Sequence, residues 1–156
     1  MCAVAQTRPN KVYYFRVSSV LGKRMRTDDF GKLVLRLTQG GLLLFHGVHK
    51  ILTGIDPIRG MIGAHGLPDY LAFGVYVGEV LAPVLIILGL FSRIGGALVV
   101  INMLVAILLV HMGMLTGLND QGGYVLETQM LYLFGGLAVA LLGAGRIAVA
   151  GESALN

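Results

Sequence analysis

Four apolar stretches, 32–52, 70–91, 94–114 and 124–144, constrain this chain more than any other feature of it. Each is long enough to cross a hydrocarbon core of about 30 Å, which takes about 20 helical residues. Only 13% of the chain is charged. A water-soluble domain carries roughly twice that share on its surface, so most of this surface must face lipid. The mean hydropathy of +0.79 agrees. The expected fold is therefore all-α, an integral membrane four-helix bundle.

The connectors refine the picture. Ser92 and Arg93 alone separate the second and third stretches, which demands a tight antiparallel hairpin. Between the first and second, Asp56 followed by Pro57 reads as an N-cap and first-turn proline. Gly66 and Pro68 would end that helix, so 57–65 is expected to form a short interfacial helix. Gly74 and Gly78 form a GxxxG pair that suggests a close helix crossing.

Orientation follows from the placement of Lys and Arg. Seven of the twelve lie in the N-terminal segment: Arg8, Lys11, Arg16, Lys23, Arg24, Arg26 and Lys32. Arg93 and Arg146 fall on the same side, against Lys50 and Arg59 on the other. The basic side is expected in the cytoplasm, giving a multi-pass protein of the inner (plasma) membrane with both termini inside. The organisation is then a basic tail over 1–31, a four-helix domain over 32–146 and a second tail over 147–156, with Met25 as an alternative initiator. A basic tail beside a membrane span is explained by topology and anionic lipid, so nucleic acid is not an expected partner.

Cys2 is the single cysteine, which excludes an internal disulfide and a CxxC redox pair. No motif for a nucleotide, a nucleophile elbow or a metal is present; a metal site is not expected, because the His and carboxylate residues lack ligand spacing.

Ionisable groups within the spans are costly, and those that remain usually face the bundle interior. His46, Glu79, His111 and Glu127 lie one per helix, at depths of roughly 5–14 Å from the outer end. They are expected to form an outer-half pocket, supported by Arg36, Gln39, Lys50, Asn102 and Gln129. On the first helix, Arg36, Gln39, Leu43, His46 and Lys50 make one stripe at helical spacing. Pro83 cannot donate to the carbonyl of Glu79, so the second helix is expected to bend there. Arg36, near the opposite end, is expected to snorkel inward or to cap helix carbonyls rather than join the pocket. Such a pocket would bind a polar small molecule or quinone head group, with His46 or His111 donating to a carbonyl oxygen. Otherwise these groups simply hold four helices together.

The sequence resembles the DoxX family of small four-span membrane proteins. The likeness begins at Leu35-Arg36-Leu37, Gly40 and Phe45-His46-Gly47-x-x-Lys50. It continues through Gly66-Leu67-Pro68, Gly78-Glu79 and Leu88-Gly89-Leu90-Phe91-Ser92-Arg93, then His111, Glu127 and Gly143-Ala144-Gly145-Arg146. It covers about residues 31–150, and the segment before Met25 has no counterpart. The resemblance implies a link to membrane redox processes, including a small subunit of thiosulfate:quinone oxidoreductase and complexes tied to quinone resistance. It therefore implies an anchoring or quinone-interacting subunit of an oxidoreductase, with quinone as the cofactor and a redox protein as partner; a second copy of the chain is a further expected partner. The alternatives are a small-molecule or ion transporter, hinted at by a His-then-Glu order in both halves, and a structural membrane partner with no ligand.

Overall fold

The structure is a computed structural model that describes the backbone of residues 11–150 and the side chains of residues 27–150. Cys2, Arg8 and the last six residues lie outside it. Among the described residues the chain is all-helical, with a single isolated bridge between Leu118 and Tyr124.

Five helices make the bundle. Helix α1 runs Lys11–Thr53 as one 43-residue rod. At 1.5 Å per residue it is about 65 Å long, twice a hydrocarbon core, so the basic segment continues the first apolar stretch as helix. Helix α2 (Asp56–Ala64) is the short connector helix. Asp56 does not cap it: Ile55 holds that position without a side-chain bond, while Asp56 opens the helix and pairs with Arg59 at 3.3 Å. Gly66 ends the segment at φ +71°, a conformation that glycine adopts without strain.

Helix α3 spans Asp69–Leu88 and helix α4 spans Ser92–Met114; both are long and apolar enough to cross a membrane. Their connector is Gly89–Phe91, and Ser92 already belongs to α4. The three-residue turn closes because Gly89 and Phe91 both take left-handed conformations. Helix α5 (Glu127–Leu142) has 16 residues, fewer than its apolar stretch. Residues 117–125 are spent on a hairpin-like loop, in which the Asn119 side chain accepts from the N–H groups of Gln121 and Gly123. Gly143, at φ +72°, ends α5.

One cluster binds the four long helices, with Leu43 from α1, Ala82 and Ile86 from α3, Val99 and Met103 from α4 and Val139 from α5. A second cluster, built on Ile55, Ile62 and Ala72, lies under α2 and reaches Leu109 of α4. The most extensive helix contact is α4 on α5. A Cβ on Gly96 would come within 2.6 Å of the carbonyl oxygen of Gly136. Of the expected GxxxG pair only Gly78 sits at a crossing, against Asn102, while Gly74 meets nothing within 4 Å.

Large apolar side chains cover much of the exterior. Phe45, Leu52, Leu131, Phe134 and Leu141 are each more than 60% exposed, and similar residues cover the outward faces of α3 and α4. A soluble monomer rarely exposes contiguous apolar surface beyond a few hundred Å², and a bilayer is the solvent that covers such a surface.

Two helices are interrupted by a wide, π-helical turn, at Val77–Leu81 in α3 and Ile107–His111 in α4. The first has a visible cause. Pro83 offers no N–H to the Glu79 carbonyl, and the ladder shifts so that Ala82 bonds Val77 instead. That carbonyl is covered by Gly47 of α1, where any Cβ would overlap the oxygen.

Candidate functional site

The polar side chains fall into two groups at opposite ends of the bundle. At the α3–α4 turn, Arg36 is 2% exposed and donates four hydrogen bonds to carbonyl oxygens. They go to Ile86 (2.8 Å) and Ile87 (2.9 Å) in the last turn of α3, and to Ala144 (2.7 Å) and Ile147 (2.8 Å) beyond α5. Helix C-termini leave carbonyls unpaired and carry partial negative charge, so one guanidinium fork answers two of them. Arg93 does similar work from α4, donating to Ala140 and Leu141. Gln39 lies one turn up α1 and donates to Tyr132 O at 2.7 Å. These residues fasten helices and hold no ligand-facing group.

The second group lies about 15 Å further along α1, toward α2. It surrounds a cavity of about 190 Å³. Helix α1 supplies Leu43, His46 and Lys50, α3 supplies Glu79, α4 supplies Met103, Ala106 and His111, and α5 supplies Thr128, Gln129 and Tyr132. Both π-helical turns thus open onto one space, each presenting one ionisable side chain. Wide turns of this kind often occur where a helix side chain must be re-aimed at a site.

Glu79 is buried, and Lys50 donates to both of its carboxylate oxygens. Lys50 enters from the partly exposed end of α1 with its charge turned inward, which neutralises the acid. Asn102 adds a long contact to Glu79 Oε1 at 3.5 Å. His111 is held from both sides. Its Nδ1 lies 3.0 Å from Ala106 O, and a carbonyl oxygen only accepts, so Nδ1 carries the proton. In the neutral ring Nε2 is then an acceptor, and the Gln129 amide approaches it at 3.4 Å. The expectation that His111 donates to a bound carbonyl is therefore reversed: its donor is committed to the backbone. His46 stands at the rim, exposed, its ring edge-on to Tyr132 with centroids 5.6 Å apart.

Three of the four residues expected in the pocket line this cavity: His46, Glu79 and His111. Glu127 does not. It is the exposed first residue of α5, and Thr128, Gln129 and Tyr132 face the space instead. Of the supporting residues, Lys50 and Gln129 line the cavity, Asn102 backs Glu79, and Arg36 and Gln39 belong to the fastenings described above. Tyr132 was missed by sequence reasoning, although it lies three residues beyond Gln129 and therefore on the same helix face.

The DoxX family model matches residues 31–112, which include α1 from the start of its apolar part, α2, α3 and nearly all of α4. The chain belongs to the DoxX family. The matched segment carries His46, Lys50, Glu79 and His111, and it leaves the DoxX-type chain's α5 wall, with Gln129 and Tyr132, outside the match. A curated relative from Bacillus subtilis (strain 168), "Putative oxidoreductase CatD", is 30% identical over 87 residues. That match covers 56% of this chain and 64% of the relative. No solved structure matches the chain.

Proposed function

We propose that this DoxX protein crosses the plasma membrane four times and serves an oxidoreductase system as its membrane subunit, holding a quinone-type ring in the cavity between its helices. The observation that carries the reading is the cavity itself. Polar pairs suffice to hold helices together, as Arg36, Gln39 and Arg93 do, and they need no open volume. Here about 190 Å³ is left open beside an ion pair, an imidazole acceptor and an amide. Concave, largely apolar spaces with a few convergent polar groups are the usual form of a small-molecule site.

The remaining parts of the reading rest on charge and relatedness. The excess of Lys and Arg in the N-terminal segment, with Arg93 and Arg146, supports an orientation with the Arg36 end in the cytoplasm and the cavity in the outer half. The relative named as an oxidoreductase supports a redox setting. The chain carries one cysteine and no redox motif, so electrons would pass between the bound ring and a partner protein. No observation favours transport over this: Glu127, the acid on which a repeated His-then-Glu pattern depends, lies outside the cavity.

The test is gentle extraction into lipid nanodiscs followed by mass spectrometry of what stays bound. The expected result is a ring compound retained by the native chain and lost from Glu79→Gln/His111→Phe, together with a co-eluting oxidoreductase polypeptide. A preparation free of small molecules, or one in which the variant retains them equally, overturns the reading.

A further inference from the structure

From the hydrogen-bonding inventory of the cavity, we infer that it selects the hydroxyl-bearing, reduced form of a single aromatic ring over the carbonyl-bearing, oxidised form. The inference rests on the quinone-type reading above and specifies its ligand.

The corner of the cavity at His111 offers an acceptor, while the donors left on the wall, the His46 ring, the Thr128 hydroxyl and the third N–H of Lys50, serve a hydroxyl and a carbonyl oxygen alike. Lys50, the strongest donor on its wall, has two N–H groups committed to Glu79. His111 has its one N–H committed to Ala106 O. What His111 presents inward is the Nε2 lone pair, met only by the 3.4 Å approach of Gln129. The other end of that amide, Gln129 Oε1, is buried with no hydrogen-bond partner. The Tyr132 hydroxyl turns either way and discriminates little. A carbonyl oxygen arriving here would face a lone pair, whereas a ring hydroxyl would donate to Nε2 and improve on the long amide contact. A site built to receive an O–H rejects an isostere that lacks one, because its own polar group is then left unpaired.

Volume and charge set the rest of the ligand. A cavity of about 150 Å³ accommodates benzene, so about 190 Å³ has room for one substituted ring. With the Glu79 charge answered by Lys50, the walls carry no uncompensated charge next to the ring, and a neutral ligand enters without leaving an ion unpaired.

The experiment compares ligands with the same heavy-atom skeleton. Full-length protein in nanodiscs is titrated, without oxygen, with 2,6-dimethylhydroquinone and separately with 2,6-dimethyl-1,4-benzoquinone, followed by calorimetry. The hydroquinone is expected to bind about threefold to tenfold tighter, the worth of one neutral hydrogen bond. His111→Phe is expected to remove that preference while keeping the quinone affinity. Equal or tighter binding of the quinone overturns this inference and leaves the proposed function standing. Binding of neither form overturns both. Should His111→Phe fail to fold, the comparison of the two ligands on the native chain decides alone.

Discussion

Lys50 and Glu79 meet as a two-pronged ion pair between α1 and α3, one turn before the proline that breaks the α3 hydrogen-bond ladder. Glu79 is thereby doubly marked: its side chain is neutralised by α1, and its carbonyl is covered by Gly47 of the same helix. Removing either partner leaves a charge facing the bundle interior, while removing both leaves none. Lys50→Met and Glu79→Gln are each expected to lower stability by about 2 kcal/mol, discounted for the exposure of Lys50. The double variant is expected to recover at least half of the summed loss. Thermal unfolding in detergent of the two single variants and the double variant measures this coupling, and strictly additive losses would show that the pair does not couple.

Arg36 predicts a sharper loss. Its four acceptors are two carbonyls in the last turn of α3 and two in the segment after α5, and no lysine presents a fork that reaches them together. Both Arg36→Gln and Arg36→Lys are expected to cost roughly 3 kcal/mol or more. A lysine variant unfolding within 2 °C of the native chain would contradict this.

The α4–α5 contact is closed to any side chain at Gly96. Gly96→Ala is expected to cost about 1–3 kcal/mol by overpacking, whereas Gly74→Ala, at a position with open space, is expected to be neutral or mildly stabilising. Parallel melting curves of these two variants test whether the crossing is where the structure puts it.

Sequence and structure agree most where hydropathy and helical period decide. The apolar stretches, the short helix between the first two and the stripe from Arg36 to Lys50 all follow from patterns that a single helix imposes on its own residues. Depth along a span was equally legible, and it put His46, Glu79 and His111 at one level. Depth says nothing about rotation, which is why Glu127 was placed in a cavity that α5 in fact lines with Gln129 and Tyr132. The role of Gly47 was illegible for another reason. A glycine in an apolar helix looks like any other, and only the missing N–H of Pro83, thirty-six residues away, makes its bareness matter. The tautomer of His111 likewise depends on a π-helical turn that no pattern announces.

Topology gives a prediction independent of the cavity. In a Cys2→Ser background, His65→Cys and Asp120→Cys are expected to react with a membrane-impermeant maleimide in intact cells, because both lie on the side with few basic residues. Lys23→Cys is expected to react only after the membrane is opened. The reverse pattern would turn the bundle over and place the cavity in the cytoplasmic half.

On the function proposed above, the space between α1, α3, α4 and α5 is a binding site rather than a packing defect. Ala106→Phe fills it from α4 and leaves His46, Lys50, Glu79 and His111 in place. Titration of that variant and of the native chain with 2,6-dimethylhydroquinone is the direct test. Saturable binding to the native chain is expected, with at least a tenfold weakening (about 1.4 kcal/mol) in a variant that melts no lower. Equal affinity in the two proteins would place the ligand elsewhere and leave this space a packing defect.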